Sequence, residues 1–374
     1  MPGGVWKIAG LTLMLVAGVH GQSTGQRSGP WVLEESGTKA GLRGVQSLGG
    51  GLAWASGADG TILRTEDGGY EWQRCPPPPD AEKLDFRGIW AWDSNTAVVM
   101  SSGTGDQSRV YRTTDGAHWT LVLSNPDKEG FFDAVVFSSR EVGYVLGDPV
   151  DGAFTLFRTG DGGATWTRVQ SPGLATAAKG SGAFAASNSA LTAAGGAEDG
   201  KVWFVTGGEA GAFLYEGTTG CAKGEDVAAD SKCLNQWMFD RKPLPVAGGS
   251  ASAGAFSLRL VVWNGRVKAG VAVGGDYAKA DATEGTSVWT PDGRTWAPSE
   301  APPHGFRSAV SWDADRNVWI AVGTNGSDVS WDGGRHWKLL DGTATGGSWN
   351  ALSLPFVVGP GGRIGKINLD ELQK

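Results

Sequence analysis

Five copies of one short phrase constrain this 374-residue chain more than any other feature. They read Thr65-Glu66-Asp67-Gly68-Gly69-Tyr70-Glu71-Trp72, Thr113-Thr114-Asp115-Gly116-Ala117-His118-Trp119, Thr159-Gly160-Asp161-Gly162-Gly163-Ala164-Thr165-Trp166, Thr290-Pro291-Asp292-Gly293-Arg294-Thr295-Trp296 and Ser330-Trp331-Asp332-Gly333-Gly334-Arg335-His336-Trp337. Each follows a strand-like run such as Thr61-Ile62-Leu63-Arg64, and each ends in a Trp four or five residues after the Asp. Asp67, Asp115 and Asp161 are 48 and 46 residues apart, and Asp292 and Asp332 are 40 apart. A hairpin turn recurring at that period describes like antiparallel units that stack radially, because one such sheet cannot bury both faces alone. The predicted fold is all-β: a β-propeller.

The turn has a physical logic. An Asp at its first bend accepts backbone N–H groups two or more residues on, as in an Asx-turn. The glycines supply positive φ, and the Trp folds a large apolar face over the turn. This phrase is the Asp box. We read its aspartates as structural rather than catalytic, since a site is built from convergent groups and not from a repeat.

Aligning the repeats shows seven units. Each opens with an apolar residue, a variable one and a mostly small one. The openings are Leu42-Arg43-Gly44, Phe86-Arg87-Gly88, Phe132-Asp133-Ala134, Phe184-Ala185-Ala186, Phe256-Ser257-Leu258, Phe306-Arg307-Ser308 and Trp349-Asn350-Ala351. The last unit has no box and no Trp-led outer strand. Trp31-Val32-Leu33-Glu34, at the other end of the chain, is the matching piece. Pairing it with the C-terminal strands closes a seven-bladed ring and removes two open edges.

The N-terminus carries Lys7, an apolar run from Ile8 to Val19 and small residues around His20-Gly21. That pattern reads as a cleavable signal over residues 1–21, too short for a membrane span. The expected mature protein is a single propeller domain over residues 22–374, exported to the periplasm or secreted, monomeric and without a transmembrane anchor. With 61 Gly, 18 Trp and only 19% charged residues, the composition suits one turn-rich repeat domain. A formal charge of −7 argues against nucleic acid as a partner. With 4 His and 3 Cys, we expect no metal and no cofactor.

Unit four carries an insertion over residues 217–236 where a box is due. Cys221 and Cys233 lie inside it, and in an exported protein two such cysteines are expected to form a disulfide. Closing that loop contributes roughly 3 kcal/mol on the chain-entropy account. Cys75, beside the run Pro76 to Pro79, is left over and expected free.

Boxes of the form Arg-Thr-x-Asp-Gly-Gly-x-x-Trp on a seven-unit exported chain resemble the propeller family typified by the photosystem II assembly and stability factor. That family sits within the wider sialidase-type Asp-box propellers. The resemblance covers about residues 31 to 367. It implies a non-catalytic factor that binds another extracytoplasmic or membrane protein, with an arginine-rich surface. The insertion in unit four departs from the simple pattern.

Two charged sets are candidates for that surface. Arg43, Arg87, Asp133, Ser257, Arg307 and Asn350 hold the variable opening position and are expected to ring the channel mouth, away from the boxes. Three guanidiniums there suit a carboxylate or phosphate; alternatively each pairs with a nearby acid such as Asp133. Arg64, Arg112 and Arg158 precede the box Thr, and Lys366 aligns with them, forming a stripe on the box side. That stripe is either a docking surface or a set of heads meeting box carbonyls.

The competing class is a sialidase-like glycoside hydrolase. Phe86-Arg87-Gly88-Ile89 is similar to the Phe-Arg-Ile-Pro start of that family but lacks the Pro. Such an enzyme needs a Tyr activated by a Glu, plus an acid. Only Tyr277, in a loop with Asp276, Asp281 and Glu284, stands where a mouth site can use it. No catalytic residue is assigned: the chain has no zinc-protease helix, no P-loop and no nucleophile elbow.

Overall fold

Alternating apolar and small residues bounded by glycine turns give each unit the strand meander its sequence describes. The structure, a computed structural model, describes residues 27–28, 30–196, 198–219, 237–340 and 347–372. Four of its sheets are simple four-stranded antiparallel meanders, the first running Leu42–Gly49, Leu52–Gly57, Thr61–Thr65, Gln73–Arg74. Units four and five share one nine-stranded sheet, but among the described residues their ladders meet at a single pair, Gly207–Gly254. Among the described residues the inner strands touch in one closed cycle: Leu42–Gly49, Asp85–Ala91, Phe132–Phe137, Leu191–Ala194, Ala253–Trp263, Ala309–Asp313, Ala351–Ser353 and back to the first. This is a β-propeller with a central channel.

The ring is closed by the chain ends. Trp31–Glu34 pairs antiparallel with Ile364–Ile367, Trp31 opposite Ile367 and Glu34 opposite Ile364. Trp31 is fully buried, its ring tilted against Trp349 at 6.0 Å, and its indole N–H donates to Ser327 Oγ at 3.0 Å. The rest of the core lies between neighbouring sheets. Trp54 and Ile62 of unit one, for example, pack with Ile89, Val99 and Tyr111 of unit two. Cys75 is buried in that same seam, where desolvation pushes its thiol pKa up.

All five boxes bend on the same hydroxyl and Asp, the hydroxyl accepting the N–H four residues on in the first, third and fifth and three residues on in the shorter second and fourth. In the first, the Thr65 hydroxyl donates to Asp67 Oδ1 (2.9 Å) and accepts the Gly69 N–H (2.9 Å), while Asp67 Oδ1 also accepts the Glu71 N–H at 3.0 Å. Gly69 has φ +98° and a Cβ there would sit 2.8 Å from the Phe356 ring, so glycine is needed for both conformation and space. Partial burial alone would raise the Asp161 pKa, but the Thr165 hydroxyl and amide and the Thr159 hydroxyl outweigh it and hold it at about 2. Hydrogen bonds from the turn likewise lower Asp67, Asp115, Asp292 and Asp332.

In unit four the strands Phe213–Thr219 and Trp237–Pro243 pair down to Thr219 opposite Trp237. The insertion therefore begins later than expected, since Gly217 to Thr219 continue the strand. Cys221, Cys233 and residues 1–21, where a signal is expected, lie outside the described residues. Among the described residues no helix is long and apolar enough to cross a membrane.

Candidate functional site at the channel mouth

The inner strands bulge where they enter the channel. Register shifts between Leu42 and Gly44, Phe86 and Gly88, and Phe132 and Ala134 leave Arg43, Arg87 and Asp133 without a ladder partner. A bulge re-aims its side chain, and here it turns all three toward a cavity of about 450 Å³ that they line. Asn350 lines the same cavity and donates from Nδ2 to Leu42 O at 2.7 Å.

Arg307 departs from the expected ring. Its N–H bonds the carbonyl of Gly274 (2.9 Å), as the Leu42 N–H bonds Gly359 (3.0 Å) and the Trp349 N–H bonds Gly323 (3.0 Å). It thus holds the interior position of its unit, one residue off the sequence alignment. Fully buried, it forks onto the equally buried Asp328, with Nε 2.7 Å from Oδ2, and bonds Asn325 Oδ1 at 2.6 Å. The residue aligned with Arg43 in this unit is Ser308, which does line the cavity. Unit five slips by one as well. Its bulge falls between Ala255 and Ser257, so Phe256 faces the mouth and Ser257 is buried against Ser189 at 2.7 Å.

Unit four differs most. Its inner strand is split into Ser181–Gly182 and Leu191–Ala194, so Phe184-Ala185-Ala186 opens no strand. Residues 183–190 instead cross the channel and bond to four other units. Arg87 Nη1 donates to Ala185 O (3.3 Å), Asn188 Oδ1 accepts the Val135 N–H (2.8 Å), Leu258 N–H reaches Ser189 O (2.8 Å), and the Ser187 hydroxyl donates to Ser308 O (2.7 Å). The segment floors the mouth. The Phe184 ring stacks on Phe256 at 3.7 Å, and Phe306 and Tyr277 meet Phe256 edge-on, giving the cavity one aromatic wall.

The charges are unevenly satisfied. Asp85 serves both arginines, with Oδ2 2.8 Å from Arg87 Nε and Oδ1 4.0 Å from Arg43 Nε. Burial and the neighbouring Arg87 charge lower the Arg43 pKa, and its Nε is buried without a hydrogen-bond partner. Across the cavity stands Asp148, which sequence reading missed. It occupies a bulge between Gly147 and Pro149 and accepts the Ala183 N–H at 2.9 Å, and burial raises its pKa to about 6. Burial and Asp148 together raise Asp133 well above the usual carboxylate range, and its Oδ2 has no partner. The one available signal was the Gly147-Asp148-Pro149 triplet, which cannot run on as regular ladder.

Three of the second predicted set are spent on seams between units, and the fourth stays within its own unit. Lys366 Nζ donates to Gly68 O of the first box (2.6 Å), Arg112 Nε to Gly162 O of the third (2.9 Å), and Arg64 Nη1 to Ser94 O (2.5 Å). Arg158 meets Tyr144. Tyr277 is half exposed at the mouth, whereas Asp276 caps Ala278 N–H (3.0 Å) and Asp281 accepts from Asn325 Nδ2 (3.0 Å). Among the described residues no hydrogen bond joins Tyr277 to Glu284 or another acid. None of these residues forms part of a His/Cys/Asp/Glu cluster fit for a metal among the described residues.

Fold and boxes define an Asp-box β-propeller. In fold it resembles YCF48. The structure of YCF48 bound to D1 peptide superposes with a TM-score of 0.56 at 14% identity, covering 92% of this chain and 98% of that one. YCF48 from Cyanidioschyzon merolae gives 0.55 at 17% identity, covering 91% and 100%. An ancestral GH74 enzyme matches at 16% identity with a TM-score of 0.43, over 83% of this chain and 44% of that one. No protein family matches the sequence, and no curated protein does.

Proposed function

We propose that this protein is an exported, non-catalytic propeller that binds another extracytoplasmic or membrane protein during its assembly or stabilisation, and that the channel mouth receives a segment of that partner. The observation that carries this reading is the mouth itself. A half-satisfied guanidinium pair, Arg43 and Arg87, stands beside an aromatic wall of Phe184, Phe256, Phe306 and Tyr277 in one cavity of about 450 Å³. A peptide end offers both complements, a carboxylate for the arginines and an apolar side chain for the rings. The fold likeness to YCF48 and the family resemblance of the boxes support the same class.

The test is capture of partners from the exported fraction, followed by peptide mapping, with wild type and an Arg43→Glu/Arg87→Glu pair. Arg307 is left alone because it is structural. The expected outcome is a peptide with a free carboxylate whose affinity falls about tenfold or more in the variant, because a charge-assisted contact is replaced by repulsion. Equal capture by both proteins overturns the reading.

One observation favours a hydrolase instead: Asp133 and Asp148, both with raised pKa, share the cavity with Tyr277. Turnover of an aryl-glycoside panel, lost in Asp148→Asn, would select that alternative.

A further inference from the structure

Residues 183–190 divide the channel, and a second cavity of about 210 Å³ lies on their other side. It is on the box side, since the inner strands run from the mouth toward turns such as Gly51 O···H–N Gly68 (2.8 Å). Arg259 is the one charged side chain lining it. No ion pair or hydrogen bond engages its guanidinium among the described residues. The residue is solvent-exposed on the channel side, yet the surrounding protein desolvates it enough to lower its pKa, and no carboxylate offsets the effect. The guanidiniums of Arg64, Arg87, Arg112 and Arg307 each bond an acid or a carbonyl. That of Arg259 faces a cavity.

Its neighbours are fixed by register. Gln46 pairs with Trp54, Arg259 with Val271, Ser311 with Ile320 and Ser353 with Phe356, in each case three residues before the glycine at the mouth end of that unit's second strand. Units five, six, seven and one therefore present Arg259, Ser311, Ser353 and Gln46 at one level, on consecutive strands around the wall. The free capacity of these groups includes a donor from each. Ser353 Oγ accepts the Ser47 N–H (3.0 Å) and keeps its O–H, and Gln46 Oε1 accepts the Ala91 N–H (2.5 Å) and keeps its NH2. The Ser311 hydroxyl makes no side-chain hydrogen bond among the described residues.

We propose that this arc binds a small oxyanion, a carboxylate or phosphate group forked by the Arg259 guanidinium and flanked by the Ser311 and Ser353 hydroxyls. The planar fork of arginine matches two oxygens of such a group, and no acid in the cavity opposes the charge. The volume lies below the roughly 300 Å³ at which drug-sized pockets begin, so the ligand is small. The site shares no residue with the mouth and does not rest on the function proposed there.

The experiment titrates inorganic phosphate and, separately, acetate into the full chain at constant ionic strength, read by calorimetry and by melting temperature. Wild type is expected to bind at least one of the two saturably in the millimolar range or tighter. Arg259→Gln should weaken that binding by about tenfold or more, Arg259→Lys less, and Arg43→Gln/Arg87→Gln not at all. Which of phosphate and acetate binds more tightly identifies the oxyanion. If Arg259→Gln does not fold, the Ser311→Ala/Ser353→Ala pair takes its place with the same expected loss. An equal response in wild type and variant, or no saturable binding of either anion by wild type, overturns the proposal.

Discussion

At the scale of single residues, the mouth and the boxes place carboxylates in opposite situations. Asp133 and Asp148 carry raised pKa values, so their ionisation opposes folding: stability is highest below the ordinary value of about 4 and falls as pH rises through about 6 and above. Asp133→Asn removes most of that penalty. Its melting temperature should exceed wild type at pH 7 to 8 and vary less between pH 4 and 7; a lower melt at pH 8 would contradict the assignment. The box Asp161, held at about 2, does the reverse, adding stability above about pH 4 that is lost as pH falls through its folded value. The buried Arg307–Asp328 pair has a third character. Asp328→Ala leaves a guanidinium uncompensated and should lower unfolding free energy by about 3–5 kcal/mol in urea titrations.

At the scale of elements, the decisive piece is the segment 183–190. It has no regular ladder of its own, yet Asn188 alone ties it to two units, through the Val135 N–H (2.8 Å) and the Ile89 carbonyl (3.3 Å). Asn188 has φ +63°, which Asn tolerates better than Ala. Asn188→Ala should therefore lose about 1–3 kcal/mol by chemical denaturation and speed hydrogen exchange at the Val135 amide. Exchange as slow as in wild type would mean that the segment is anchored elsewhere. The cations of the predicted stripe belong to this scale too: Lys366 and Arg112 hold the box turn of the following unit, so they act as fasteners between blades.

For the whole molecule, closure is the controlling event. Each sheet buries its faces only against its neighbours, and the strand Trp31–Glu34 supplies the last wedge with its outer pairing. Removing residues 22–36 should lower the melting temperature sharply, and Trp31→Ala alone should cost about 3–5 kcal/mol, the usual range for a large buried aromatic. Averaged projections down the channel should show seven wedges. An unchanged melt, or six or eight wedges, would refute this account of closure and count.

The propeller, its box turns and the pairing of the chain ends were legible in the sequence because each rests on local chemistry repeated at a fixed period: Asp and Gly for the turn, Trp for its cover, apolar alternation for the strands. Arg43, Arg87 and Asp133 were legible for the same reason, since their units keep the common register. Tertiary structure alone decided the rest. A one-residue slip, invisible where no ladder is seen, sent Arg307 into the interior and Phe256 to the mouth. Asp148 joined Asp133 only because adjacent strands bulge side by side, and Arg259 was left alone because no acid lies within reach on any neighbouring strand. Local sequence fixes which way a strand turns; which charges then meet across a channel depends on units that are far apart in the chain.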